Sequence, residues 1–240
     1  ADELRRIIVA IAEFEPVRLL TPRDLLGQAR AQMLGPNVEI VEAPVDDIWM
    51  RDIAPMYIAS GSEVLPVDLN FNGWGAPRLR PPRPGDRLAG TARHLFGREM
   101  ISAGFVAEGG AFAVGRDGVV FTTRSCLLNR NRNPQLNETD IERELVRLGA
   151  REVIWLDGDP SEPITSGHVD GYLLPTESGD LLVQSCEVDD PCLTARDAAI
   201  ARLRASIDLG RGPSRLRGIE PPRVASSEDC LFAATYVNAY

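Results

Sequence analysis

One recurring pattern constrains the fold of this chain. Three times, a loop that delivers a carboxylate runs into two short apolar segments joined by a glycine-containing turn. The paired segments are 55–59 and 64–69 around Ser60-Gly61-Ser62, 111–114 and 119–122 around Arg116-Asp117-Gly118, and 169–174 and 181–184 around Ser178-Gly179-Asp180. Apolar runs of this length about a tight turn predict hairpins. The acids that precede them are Asp52, Glu108 and Asp170, spaced by 56 and 62 residues. Periods of this size predict radially repeated units, which would set the three carboxylates around one axis.

Helices and further strands fill the intervals. Leu4, Ile7, Ile8 and Ile11 have helical spacing. Residues 16–20 predict a strand, 24–34 a helix behind Thr21-Pro22, and 38–41 a second strand. Residues 87–96 predict a helix and 100–103 a strand. An amphipathic helix at 138–148 closes on Gly149, followed by a strand at 153–156, a helix at 193–207 and a strand at 216–219. The stretch 75–85, rich in Pro, Arg and Gly, predicts a long surface loop near a site mouth. A further unit begins near Leu216 and reaches residues 233–238.

Composition excludes several functions. A net charge of −9 argues against a nucleic-acid surface; by itself it reads as simple solubility or as an acidic cleft that concentrates cationic small molecules. All 26 basic residues are arginine, which removes lysine Schiff-base chemistry and the phosphate-binding P-loop. Two histidines, His94 and His168, cannot build a His-rich metal site. No run of apolar residues is long enough for a membrane span, and no secretory leader is legible, so a cytoplasmic location is expected. The four cysteines form no C-x-x-C pair and are expected to be reduced thiols.

Four clusters carry chemistry. Asp46, Asp47 and Asp52 crowd around Trp49 and Arg51. That group reads either as an exposed acidic turn or as a cation pocket, where carboxylates grip a planar guanidinium and an indole adds a cation–π face. Trp74 lies in Asn72-Gly73-Trp74-Gly75 and reads as core or as a ligand contact. Glu108-Gly109-Gly110 reads as a tight turn or as backbone that lets a ligand approach closely. In Ser166-Gly167-His168-Val169-Asp170, strand alternation would put His168 and Asp170 on one face. Asn131-Arg132-Asn133-Pro134 stands beside them.

Taken in order, W-M-R-D, F-N-G-W-G, E-G-G, R-N-P and G-H-V-D resemble the agmatine deiminase and bacterial peptidylarginine deiminase family. The resemblance runs from Phe14 to Tyr240 and is carried by the ordered set, not by any one motif. It implies a single α/β domain over 1–240 with the pentein fold, a five-unit propeller of which about four units are present. It implies hydrolysis of a guanidinium group to a ureido group with release of ammonia, agmatine giving N-carbamoylputrescine. By resemblance, Asp52 and Asp170 clamp the guanidinium, His168 is general acid and base, and Glu108 helps hold the guanidinium and neighbouring groups. Trp49 packs on the substrate stem, with Trp74 beside the substrate, and Asp46 meets a distal amine. The reaction needs no metal or organic cofactor. Homo-oligomers are common among such enzymes.

The sequence departs from that pattern in places. Ala54 stands where the family usually has Gly, Gly171 where it often has Asn, and Ser161-Glu162-Pro163-Ile164-Thr165-Ser166 where an Asp-Glu pair is common. The family's nucleophilic cysteine lies in a Gly-rich segment of its fifth unit, and none of Cys126, Cys186, Cys192 and Cys230 matches it. Resemblance puts Cys126 in a helical turn away from the chemistry. A fragment without that unit would be inactive, or would bind guanidinium compounds without turnover. Peptidyl-arginine hydrolysis and amidino transfer are the other expectations.

Overall fold

A computed structural model describes residues 2–75, 83–91, 93–96, 99–186, 193–208 and 215–220. Helix α1 (Asp2–Ala12) buries Ile8 and Ala12 and leaves Leu4 and Ile7 exposed. It leads into β1 (Val17–Thr21), which pairs in parallel with β2 (Val38–Glu42). Between them lie a 3-10 turn (Arg23–Leu25) and α2 (Leu26–Ala31). The helix expected over 24–34 stops early because Met33 and Gly35 take positive φ, 49° and 99°, which reverses the chain.

Three sheets then share one topology. In the first, α3 (Met50–Ile53) precedes an antiparallel hairpin of β3 (Met56–Ser60) and β4 (Glu63–Asp68), and β5 (Ile101–Ser102) joins β4 in parallel. The helix expected over 87–96 is broken into a 3-10 turn (Pro84–Arg87), α4 (Leu88–Thr91) and a second 3-10 turn (Arg93–Leu95). Gly90 weakens it, and the side chains of Thr91 and Arg93 bond the carbonyls of Arg87 and Gly90.

In the second sheet, β6 (Ala113–Val114) and β7 (Val119–Thr123) form the hairpin, and β8 (Glu152–Leu156) lies parallel to β7. Their crossover contains α5 (Arg124–Leu127) and α6 (Glu138–Arg147). Asn137 caps α6 by accepting a hydrogen bond from the Asp140 N–H at 3.1 Å. The third sheet has β9 (Leu173–Pro175), β10 (Asp180–Gln184), the crossover helix α7 (Leu193–Asp208) and β11 (Arg215–Ile219).

The repeat read from the sequence is thus present as three sheets of order hairpin strand, central strand, parallel strand. All five residues of β7 are buried, as a strand covered on both faces requires. Phe112, Val120, Leu127 and Trp155 form one core cluster, and Phe121, Leu156, Leu173 and Leu203 another. Each fully buried Leu or Phe contributes roughly 1.5–3 kcal/mol. First strands of the three hairpins supply Met56, Val114 and Pro175 to a single cavity of about 510 Å³, with Asp170 and Arg51 in its wall.

One expected strand needs correction. Residues 169–172 are not strand: the N–H groups of Tyr172 and Leu173 both bond the Val169 carbonyl, making a tight turn before β9. Most of the expected loop, residues 76–82, and the expected further unit beyond Glu220 lie outside the described residues. Among the described residues no helix is long and apolar enough to cross a membrane.

Candidate active site

The three repeat acids meet. Asp52 sits on α3, buried, and both its oxygens are engaged. Oδ1 accepts the Gly110 N–H at 2.8 Å, and Oδ2 accepts the Trp74 indole N–H at 2.9 Å. Glu108 is wholly buried, in extended backbone at the head of the 3-10 turn Gly109–Ala111. Its Oε1 lies 2.8 Å from His168 Nε2. On the other side of the ring, His168 Nδ1 is 3.8 Å from Asp170 Oδ1. His168 and Asp170 face each other through the turn at Val169, not through strand alternation.

Close approach explains the glycine pair. A Cβ on Gly109 would fall 2.1 Å from the Arg51 carbonyl oxygen. One on Gly110 would fall 2.4 Å from His168 Nδ1 and 2.9 Å from Asp52 Oδ1. Only residues without a side chain let α3, this turn and the His168 loop converge.

Several further residues join this group, in roles the sequence did not assign. Arg132, buried, donates from Nε to both oxygens of Glu108 at 2.9 and 3.1 Å and from a second nitrogen to Oε1. The same guanidinium donates to the Thr165 carbonyl at 2.9 Å. Thr165 Oγ1 in turn accepts the His168 N–H at 3.0 Å. Glu162 shapes this loop by accepting from the backbone N–H groups of Ile164, Thr165 and Gly167. Arg51 Nε stands 3.5 Å from Asp170 Oδ2. The R-N-P motif flagged Arg132, but nothing in a linear sequence pairs it with an acid 24 positions earlier.

Cys126 corrects another expectation. It does occupy a helical turn, α5, but that turn is packed into the site, with Sγ 3.9 Å from Glu108 Oε1. Burial, and then the Glu108 charge, push its thiol pKa up, which suppresses thiolate reactivity. Cys186 is disulfide-bonded, contrary to the reduced thiol expected there. Cys192 and Cys230 lie outside the described residues.

The expected substrate contacts divide. Trp74, at φ 60°, is tied to Asp52 and meets Phe71 edge-on at 5.1 Å. Trp49, about half exposed, precedes α3. Asp46 is exposed, and its Oδ1 fills the space beside Gly85, 2.3 Å from where a Cβ would stand. The Trp49 carbonyl accepts the Asp52 backbone N–H at 3.0 Å, while the Trp49 side chain stays largely on the surface.

Charge is arranged to divide the protonation states. Burial alone would raise the Glu108 pKa, but the His168 hydrogen bond and the Arg132 charge outweigh it and hold Glu108 low. Burial opposes protonation of His168, yet its contacts with Cys126 and Glu108 prevail and raise its pKa well above the usual value. Burial pushes Asp170 up to about 6, with the neighbouring Asp52 charge adding and His168 opposing. Donor atoms of Glu108, Cys126 and His168 lie within 4.8 Å of one another, a spacing compatible with a metal. Arg132 already presents a cation to both Glu108 oxygens, so we assign no metal there.

Comparison with known proteins identifies the family. The profile described as Porphyromonas-type peptidyl-arginine deiminase matches residues 1–240. An agmatine deiminase of Pseudomonas putida is 34% identical over 236 residues, covering 92% of this chain and 62% of that protein. One from Ectopseudomonas mendocina is 35% identical over 231 residues, with the same two coverages. The solved structure of an Enterococcus faecalis agmatine deiminase superposes with a TM-score of 0.84 at 28% identity, covering 98% of this chain and 66% of that one. The chain therefore spans about 62% of the length of the curated relatives it matches. With the profile matched end to end and the mixed α/β fold shared with a solved relative, the chain belongs to the Porphyromonas-type peptidyl-arginine deiminase family.

Proposed function

We propose that this chain carries the substrate-clamping and proton-handling part of a guanidino-group hydrolase whose substrate is agmatine. The observation that supports it most is the convergence of Asp52, Asp170 and a His168 held between Glu108 and Asp170. Two carboxylates suit a planar guanidinium, and they fix its orientation for attack. Binding a cation at Asp170 favours its ionised form, offsetting the burial that raises its pKa.

His168, protonated in the resting site, is set to give its proton to the nitrogen that leaves as ammonia. The neutral imidazole then takes a proton from water. That water attacks the thiouronium carbon, the C–S bond breaks, and a ureido product leaves. We assign the attacking thiolate to the fifth-unit cysteine that the family resemblance implies, since Cys126 is buried with a raised pKa and Cys186 is disulfide-bonded. Closure of the repeated units into a five-unit propeller, within one domain, belongs to the same proposal. Asp46 and Trp49 are the proposed contacts for the amine end and the stem.

The cysteine observations also favour a second reading, in which the chain binds guanidino compounds without turning them over. Ammonia release from agmatine, with and without prior thiol alkylation, separates the two. Alkylation-sensitive release supports the hydrolase. Saturable binding without release supports the binding module, and release that survives alkylation overturns the thiol mechanism.

A further inference from the structure

The Arg132 side chain is a guanidinium inside a site built for guanidinium, yet nothing in the clamp uses it. We propose that Arg132 is a positioning residue: it fixes both partners of His168, the Glu108 carboxylate on the ring and Thr165 on the backbone. The inference rests on the hydrolase reading for its kinetic consequences, but not for its geometry.

Four observations carry it. Arg132 and Glu108 have wholly buried side chains, so their ion pair is formed out of water. The pair is bidentate, which fixes the carboxylate plane as well as its charge. Glu108 Oε1 then holds His168 Nε2 at 2.8 Å, leaving Nδ1 on the Asp170 side. Meanwhile Arg132 donates to the Thr165 carbonyl, and the Thr165 hydroxyl accepts the His168 N–H. One planar fork thus links the ring's partner to the backbone's partner. An ammonium would keep the charge and lose the fork.

The role has an electrostatic half. The charged or titratable groups around His168 are Glu108, Cys126, Asp170 and Arg132, with Asp52 and Arg51 behind Asp170. Glu108 and His168 share protons as a coupled pair. Whichever of them bears the proton, deleting a fixed cation beside them raises the pair's proton affinity.

The test uses Arg132→Met and Arg132→Lys in a His94→Gln background, where His168 is the one remaining histidine. His94 is exposed. His168 titration is followed by NMR, and agmatine kinetics by ammonia release. In R132M the titration should move up by roughly one pH unit or more. In R132K it should stay near the parent value while kcat falls about tenfold or more with KM within about threefold, the split expected of a residue that never touches substrate.

An unmoved His168 titration in folded R132M overturns the proposal. Should R132M fail to fold, R132K decides alone, and a parental kcat there overturns it. If the parent releases no ammonia but the titration shift is present, the hydrolase reading falls and the positioning role stands. Activity in the parent with no shift in R132M removes the Arg132 inference only.

Discussion

Asp170→Asn should make the ligand-free protein more stable at neutral pH. Asp170 is 13% exposed at its side chain, and burial raises its pKa from 3.8 to about 6. The folded-state pKa lies above the unfolded one, so between these values the native state binds more protons than the unfolded chain. Stability is therefore lost as pH rises through that window, by about 3 kcal/mol in all once both states are ionised. Asparagine is neutral throughout and escapes this cost. It gives up the attraction of Arg51, which is half exposed and worth little, and that of His168. A net gain of roughly 1–3 kcal/mol at pH 7.5 is expected, shrinking by about 2 kcal/mol at pH 4.5. Urea denaturation of the parent and D170N at both pH values reads this directly. Agmatine should stabilise the parent, by adding a cation beside the ionised Asp170, and not D170N. A D170N protein less stable than the parent at pH 7.5, or a gain independent of pH, would refute the electrostatic reasoning.

Three further outcomes are expected. Gly110→Ala should lower turnover about a hundredfold, because a Cβ 2.4 Å from His168 Nδ1 and 2.9 Å from Asp52 Oδ1 must displace one of them; steady-state kinetics beside a melting curve separates this from misfolding. Trp74→Phe removes the indole N–H that Asp52 accepts at 2.9 Å, at a cost of about 1.5–3 kcal/mol, read as a ten- to hundredfold loss in kcat/KM on agmatine. Cys126 should resist Ellman's reagent in the native protein and react only after denaturation, with the modified peptide identified by mass spectrometry; rapid native labelling would contradict its burial.

How much of the site was legible depended on the kind of signal. Asp52, Glu108 and Asp170 could be found because each occupies the same place in a repeat, before a hairpin, and three sheets of one topology bring equal places together. Glu108-Gly109-Gly110 announced close approach, though the partners proved to be the Arg51 carbonyl, His168 and Asp52, not a ligand. The strand expected at 169–172 failed because apolar alternation does not distinguish a strand from a tight turn three residues long. Likewise the helix over 87–96 was interrupted by side chains competing for its carbonyls, a local effect that periodicity does not register.

Sequence alone therefore determined the order of the units, the hairpin turns and which acids lead each hairpin, because these follow from patterns a few residues long. Only the tertiary structure decided what each acid does. Asp52 is engaged by Gly110 and Trp74, Glu108 is spent on Arg132 and His168, and Asp170 is left in the cavity wall with a pKa near 6. Those differences come from burial and from charges brought together across 24 to 60 residues of chain, and no spacing in the sequence encodes such contacts.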